Sequence, residues 1–246
     1  MADNLVIFYA MTALVILLIG LSKGGLGGVL GSVATPLMAL VMPADQVIGL
    51  LLPVLMITDI FAVASHWRRW DSRLLWLLLP ASVIGIAAGT FFITNVPEHV
   101  LRRGVGVIVL LFALYKIWVE PRLTQWVYRS RPWHGVVAGS VAGLTSTLAH
   151  IGGPPISIYL LMQDLQPRTF VATNAIFFAI LNWMKVPSYA YAGLFHVDQL
   201  LRIVWLLPLI PVGVLIGKWA STRINKVAFE RLIIGLLVLT SFLLFL

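Results

Sequence analysis

Cysteine is absent from this sequence, and charged residues are scarce. Without cysteine the protein has no disulfide, no thiolate chemistry and no cysteine ligand for a metal. Only 11% of the residues are charged, whereas soluble domains contain about 25%. The composition therefore excludes disulfide-stabilised and cysteine-ligated folds, and it argues against a soluble protein.

The patterns of common enzyme classes are also missing. The sequence contains no G-x-S-x-G, no H-E-x-x-H and no P-loop. Gly25-Leu26-Gly27 begins a G-x-G pattern, but no strand-and-helix unit surrounds it. We therefore expect no enzymatic activity, no cofactor and no metal site.

What the sequence has in excess is apolar residues and positive charge. Apolar residues make up 60% of the chain, and mean hydropathy is +0.99, more than a soluble fold of this size can bury. The net charge of +8 and the pI of about 10.2 would suit a nucleic-acid-binding protein. The basic residues, however, stand in short clusters between apolar runs, as in the loops of membrane proteins. The sequence predicts an all-α, polytopic protein whose partner is the lipid bilayer and not nucleic acid.

Apolar runs separated by polar or Gly/Pro breaks are the predicted helical segments. They cover residues 5–21, 29–42, 46–65, 74–94, 100–118, 134–149, 155–163, 169–186, 198–219 and 227–246. Most are near the ~20 residues that a bilayer span needs, but 29–42 and 155–163 would form helices of only about 21 and 14 Å. Each of these two follows a glycine-rich break, at 22–28 and at 149–155. Short segments beside such breaks are typical of the binding site of a transporter.

The two halves of the sequence resemble each other at offsets of 123 to 128 residues. Besides the two breaks, the corresponding positions are Pro43 and Pro167, Pro80 and Pro208, and Gly85-x-x-x-Gly89 and Gly213-x-x-x-Gly217. This correspondence predicts an internal duplication. We predict a first transmembrane repeat at 1–120, a cytoplasmic linker at 121–132 and a second transmembrane repeat at 133–246.

The basic residues distinguish between two topologies. If each break lies within one continuous span, the two sides of the membrane carry 7 and 9 basic residues, with Lys23 set aside. If each break is the tip of a hairpin, one side carries 13, including Lys23, and the other only 4, as the positive-inside rule requires. The four are Arg102, Arg103, Lys185 and Arg202. We therefore predict five segments per repeat, with the first hairpin of each repeat broken or re-entrant.

An odd number of segments per repeat requires the two repeats to insert in opposite orientations. We therefore predict two inverted repeats in the cell inner membrane, with both termini periplasmic. Two short crossings and a re-entrant hairpin have the same parity, so the charges do not separate them. The nine-residue segment at 155–163 favours re-entrance in the second repeat.

The two glycine-rich breaks are the predicted binding site. In hydrocarbon, non-helical backbone persists only inside protein or beside a water-filled cavity. The short helices after the breaks would point their N-termini into the membrane, where N–H groups and helix dipoles favour an anion. The alternative role of these glycines is close helix packing, because glycine recurs every four residues near both breaks. The candidate substrate-binding residues are Ser22, Lys23, Gly24, Gly25, Gly27, Gly28, Thr145, Ser146, Thr147, His150, Gly152, Gly153 and Asn174.

Ionisable and amide side chains near the breaks indicate how such a site would work. Lys23 in the first break would complement an anion, and His150 in the second would hydrogen-bond it or titrate with a proton. Asp59 is the only carboxylate deep in a predicted span, where it is either a proton carrier or a counter-charge to Lys23. Asp59 and His150 are therefore the proton-coupling candidates. Asn174 and Asn182 would line the pathway or join helices by hydrogen bonds.

At the two breaks the sequence resembles the 4-toluene sulfonate uptake permease family, also called the sulfite exporter TauE/SafE family. The matching pieces are Gly20-Leu21-Ser22-Lys23-Gly24-Gly25-Leu26-Gly27-Gly28 with Pro36, and Gly143-Leu144-Thr145 through Gly152-Gly153-Pro154-Pro155. Through the duplicated layout the resemblance extends over almost the whole chain. It implies secondary transport of a small organosulfur or related anion, such as sulfite, a sulfonate or sulfoacetate, across a bacterial inner membrane.

The hypothesis from the sequence is a secondary active transporter with alternating access, driven by a proton gradient, with sodium as the alternative coupling ion, bound by backbone carbonyls at the breaks. Its partners would be a small anion and the bilayer, and a homo-oligomer is compatible with the composition. The alternatives are an uncoupled anion channel and a non-transport accessory protein of the membrane.

Overall fold

The computed structural model describes residues 2–26, 29–123, 131–220, 223 and 226–245, and every regular element in these residues is helical. The helices are α1 (Ala2–Leu21), α2 (Val29–Ser32), α3 (Ala34–Met38), α4 (Ala44–Ser65), α5 (Ser72–Asn95), α6 (Glu98–Leu114), α7 (Glu120–Leu123), α8 (Pro132–Ala149), α9 (Gly153–Leu161), α10 (Pro167–Tyr191), α11 (Val197–Ile203), α12 (Leu209–Ala220) and α13 (Lys226–Phe245). The predicted all-α fold is confirmed.

Several of these helices are long and apolar enough to cross a membrane. In the described part of the chain they are Leu5–Gly24, Ala44–Ser65, Ser72–Asn95, Pro167–Tyr191 and Ala228–Phe245. Val197–Leu206 and Leu209–Ala220, bent by 50° relative to each other, add a sixth span if they cross together. The chain is therefore a multi-pass membrane protein, as its hydropathy predicts.

The first predicted break is helical in the part that the structure describes, Ser22–Leu26. The helix does not stop at Ser22, because a wider π-helical turn at Ser22–Leu26 continues α1. The expectation of non-helical backbone over Ser22–Leu26 was wrong: at membrane depth a helix satisfies its own N–H and C=O groups, even where it contains glycine. A π-helical turn also redirects the side chains that follow it, and such turns are frequent at functional sites.

The second break lies where the sequence predicts it. α8 ends at Ala149, His150 adopts a left-handed conformation with φ of 55°, and α9 begins at Gly153. The N–H of His150 donates to the carbonyl of Ser146 at 3.0 Å, which closes the end of α8. α9 is only nine residues long, so this segment is short, as predicted.

Glycines bring helices of the two halves into backbone contact. α1 packs on α12, where a methyl group added at Gly20 would lie 3.0 Å from the Cα of Gly213. One turn further on, a methyl group added at Gly24 would lie 3.0 Å from the Cα of Gly217. α5 and α8 approach equally closely, because an added methyl at Gly89 would lie 2.9 Å from the side chain of Thr147. Close packing, the alternative role of the spaced glycines, is thus present at Gly20 and Gly24.

The helix contacts follow the order that two related halves would produce. The pairs α1–α12 and α5–α8 each join the first segment of one predicted repeat to the fourth segment of the other. The pairs α4–α10 and α6–α13 join the two third segments and the two fifth segments. The duplication, its boundaries and the opposite insertion of the repeats stay predictions.

The predicted orientation can be tested directly because the protein has no native cysteine. Glu98→Cys, at the exposed start of α6, is expected to react with a membrane-impermeant maleimide on intact spheroplasts, because few basic residues lie on that side. Trp67→Cys, 61% exposed beside Arg68 and Arg69, is expected to react only after the membrane is opened. The reverse labelling pattern would contradict the orientation.

Gly213→Ala is expected to destabilise the protein, because the added methyl would lie 2.8 Å from the carbonyl oxygen of Leu17 and separate α1 from α12. Overpacking of this kind costs about 1 to 3 kcal/mol, measurable as a lower melting temperature in detergent. Gly235→Ala on α13 is the matched control, because no atom lies within 4 Å of the added methyl. Alanine favours helix over glycine, so the control should melt at the same temperature or slightly higher. Equal melting temperatures for the two variants would show that the α1–α12 contact is not tight.

Candidate functional site

An ion pair joins the first break to α4. The Nζ atom of Lys23 lies 2.7 Å from Oδ1 of Asp59. The lysine side chain is 25% exposed and the aspartate side chain 3%. Of the two roles that the sequence allows for Asp59, the counter-charge to Lys23 is therefore present in the structure.

The other oxygen of this carboxylate is also hydrogen-bonded. The Nδ2 atom of Asn182, on α10, donates to Oδ2 of Asp59 at 2.6 Å. Asn182 is buried, as is Asp59. Both carboxylate oxygens thus accept hydrogen bonds, one from the first break and one from the third segment of the second predicted repeat. Asn182 joins helices here, which is one of its two predicted roles.

Lys185 is a buried cation, although the charge count from the sequence placed it on the periplasmic side of the membrane. Its side chain has 0% exposure, and it lies within α10, which continues to Tyr191, beyond the apolar run at 169–186. Its Nζ donates to the carbonyl and the hydroxyl oxygens of Ser146 at 3.3 and 3.1 Å. Counting Lys185 among the loop charges was therefore wrong. Its position three residues after Asn182 was the available signal, because residues three apart share a helix face.

His150 connects Lys185 to α4. The Nε2 atom of His150 lies 3.0 Å from the carbonyl oxygen of Ile48, and Nδ1 lies 3.1 Å from Nζ of Lys185. A carbonyl oxygen can only accept, so Nε2 carries the hydrogen and Nδ1 accepts from the lysine. Tyr189, also fully buried, has its ring centroid 5.7 Å from Nζ of Lys185. The break geometry at His150 thus directs its ring into the protein.

These contacts form one network, which we call the lysine–aspartate network and define as Lys23, Asp59, Asn182, Lys185 and His150. It links the first break to the second, because Asn182 and Lys185 are one turn apart on α10. It contains two lysines and one carboxylate. With both lysines protonated and His150 neutral, the buried network carries one excess positive charge, which favours an anion.

The other candidates of the first break do not all reach this network. Ser22 is buried, and a methyl at Gly31 of α2 would lie 3.4 Å from its hydroxyl. Gly24 packs on α12, and Gly25 belongs to the π-helical turn. Gly27 and Gly28 lie outside the described residues.

Of the three predicted hydroxyl groups before the second break, only that of Ser146 bonds to Lys185. The Thr145 hydroxyl donates to the carbonyl of residue 141 at 2.9 Å, and the Thr147 hydroxyl donates to the carbonyl of residue 143 at 2.8 Å. The carbonyl of Thr147 in turn accepts from the Tyr189 hydroxyl at 2.8 Å. Helical geometry points successive side chains about 100° apart, so three adjacent hydroxyls cannot converge on one ligand.

The remaining three candidates lie near the network without bonding to it. A methyl at Gly152 would lie 3.0 Å from the Cβ atom of Ser146, whereas Gly153 has open space beside it. Asn174 lies three turns before Lys185 on the same side of α10. Its Oδ1 atom is buried and has no hydrogen-bond partner among the described residues. Gly153 and Asn174 therefore offer unused space and an unused acceptor.

Two crevices border the helices that carry the network. One, of about 400 Å³, lies between α6, α8 and α9 and is almost entirely apolar, with Thr145 on its wall. The other, of about 550 Å³, lies between α5 and α10 and is more polar, with Thr90, Thr94, Asn95 and Ser188 on its wall. Neither of these two crevices is lined by Lys23, Asp59 or Lys185. The network thus lies outside these two crevices, and the polar crevice begins one turn beyond Lys185.

Fold and network together define a multi-pass helical membrane protein with two lysines and one carboxylate in a largely buried network. A model of the family described as "Sulfite exporter TauE/SafE" matches residues 12–244, nearly the whole chain. The chain therefore belongs to this family of membrane transporters, and the resemblance seen at the two breaks is confirmed. A search of curated proteins and a search of solved structures returned no match.

Removing one partner of the ion pair is expected to destabilise the protein. Lys23→Met leaves the 3%-exposed carboxylate of Asp59 with Asn182 alone, which costs about 1 to 3 kcal/mol. The double variant Lys23→Met/Asp59→Leu is expected to regain only part of this loss, because it removes the unpaired buried charge but leaves the buried Asn182 amide without its acceptor. Thermal unfolding in detergent measures both changes.

The matched control is Lys116→Met, which removes the i,i+4 pair of Lys116 and Glu120, 2.6 Å apart with the glutamate 40% exposed. The lysine side chain is 10% exposed, but the carboxylate left behind lies near water, so we expect this loss to be about 1 kcal/mol or less. If Lys23→Met lowered the melting temperature no more than Lys116→Met, the buried pair would not hold the first break against α4.

Proposed function

We propose that this protein is a secondary active transporter that moves a small organosulfur or related anion, of the sulfite, sulfonate and sulfoacetate class, across the inner membrane. The observation that carries this proposal is that the lysine–aspartate network holds two lysines but only one carboxylate, so it carries an excess positive charge whenever both lysines are protonated. A buried charge without a counter-charge is costly, and a bound anion would neutralise it. The description of the family as a sulfite exporter supports a sulfur oxyanion as the substrate.

The anion would bind between the two breaks. Lys23 and Lys185 would supply the charges, and Ser146 a hydroxyl group. The N-terminus of α9 would add few donors, because Pro154 and Pro155 in its first turn have no N–H. The backbone N–H groups available there are those of the two glycines at 152 and 153, beside the open space at Gly153.

Alternating access is the proposed mechanism. Lys185 has 0% exposure, so a site built around it must open before an anion can reach it from either side. Two inverted repeats, with both termini periplasmic, would supply the two related arrangements that such opening requires. A proton gradient is the proposed driving force, because the sequence has no nucleotide-binding motif while Asp59 and His150 can titrate.

Uptake of radiolabelled sulfite or sulfonate into proteoliposomes tests this function. We expect saturable uptake by the natural protein and a loss of about 10- to 100-fold in Lys23→Ala, which removes a charged hydrogen-bond donor. Arg73→Ala, which removes an exposed charge in the first turn of α5, is the control and should leave uptake unchanged. Melting temperatures show that the variants are folded.

Two results would contradict the proposal. Uptake that rises linearly with concentration, without exchange of internal for external anion, would identify an uncoupled channel. Unchanged flux and affinity in Lys23→Ala would remove Lys23 from the binding site.

A further inference from the structure

Lys185 has the surroundings of a residue that gains and loses a proton. Its ammonium group has three donors, and they meet three neutral acceptors: two oxygens of Ser146 and Nδ1 of His150. No carboxylate of the described residues lies within ion-pair distance of it. A fully buried ammonium with only neutral partners is costly, whereas the neutral amine is not.

The groups that face Lys185 from the neighbouring helices are few. From α8 it meets His150, and from α4 the Asp59 carboxylate acts on it through space. Its own helix contributes the ring of Tyr189. α5 has one ionisable residue, Arg73, which lies in its first turn. α9 also has one, Tyr159, and its hydroxyl lies against Gly135 near the start of α8. Lys185 is therefore the one cation of the network without a counter-ion in contact.

Asp59 is poorly arranged to be the proton carrier. One oxygen accepts from the Lys23 ammonium at 2.7 Å and the other from the Asn182 amide at 2.6 Å. A proton on either oxygen would displace one of these donors and leave it buried without a partner. Asp59 therefore acts as the fixed counter-charge of Lys23, and the pair is neutral together.

We propose that Lys185 is the proton-binding residue that couples transport, so that one proton moves with each monovalent anion in the same direction. This inference rests on the proposed function, and it replaces Asp59 as the proton carrier while keeping His150 as the neighbour that relays the proton. The structural reason is that the network is neutral in only two states. One has Lys185 unprotonated and no anion; the other has Lys185 protonated and a monovalent anion bound.

These two neutral states define the transport cycle. The closed network around Lys185 tolerates no excess charge, so the carrier changes orientation easily only when the network is neutral. The loaded carrier crosses with anion and proton, releases the anion, and gives the proton of Nζ to Nδ1 of His150. His150, which is only half-buried, then passes this proton from Nδ1 to water, so that Nε2 keeps its hydrogen bond to the Ile48 carbonyl, and the empty neutral carrier returns. The polar crevice that begins at Ser188, one turn beyond Lys185, would give water access for this exchange.

Lys185→Arg separates this proposal from the proposed function. Arginine keeps the charge at every accessible pH, so the loaded carrier can still cross but the empty carrier cannot return. We expect the variant to exchange internal for external sulfite, and to lose net uptake driven by a pH gradient. The natural protein should do both, accumulating the hydrogen sulfite monoanion about tenfold for a gradient of one pH unit. Lys116→Arg, the same substitution at the cytoplasmic end of α6, is the control and should behave like the natural protein.

The assay uses radiolabelled sulfite in proteoliposomes at mildly acidic pH, with a pH dye inside to count protons. The proposal predicts one proton per anion and no effect of an imposed membrane potential. It is overturned if folded Lys185→Arg retains uptake driven by the pH gradient, if it loses exchange together with net uptake, or if the natural protein carries no proton with the anion. Absence of any sulfite exchange in the natural protein would instead overturn the proposed function itself.

Discussion

A charged group inside a bilayer needs a partner, and this constraint organises the centre of the molecule. Lys23 and Asp59 satisfy it as an ion pair, and Asn182 occupies the remaining carboxylate oxygen. Lys185 has only neutral acceptors in contact, so its positive charge has no adjacent counter-ion when the side chain is protonated. Because the network draws residues from both breaks and from α4 and α10, the contacts that join the two halves also form the site that we propose for an anion.

Close packing around the network makes its electrostatics effective. Glycines let α1 contact α12, and α5 contact α8, without intervening side chains. Lys185 has 0% exposure, and in such an interior an uncompensated charge is far more costly than in water. The close packing at the glycines and the burial of the lysine therefore act together: a neutralising anion has a large effect on the energy of the closed state.

The sequence predicted the helical segments well, because apolar runs of span length and Gly/Pro breaks are local features. It misjudged Ser22–Leu26, where a helix absorbs the glycines through a π-helical turn. It also misjudged Lys185, because a lysine near the end of an apolar run resembles a loop residue. Only the extension of α10 to Tyr191 and its packing on α8 show that this side chain faces inward.

By itself the sequence determined that the protein is surrounded by lipid, that it is helical, where the second break lies and which family it belongs to, because these follow from composition and local motifs. Only the tertiary structure decided which charges meet. Asp59 and Asn182 are 123 residues apart in the chain, and Lys185 and His150 come from different helices. No local pattern encodes such contacts, because they arise when separate helices pack. The tertiary structure therefore turned a set of candidate residues into a network with a defined charge.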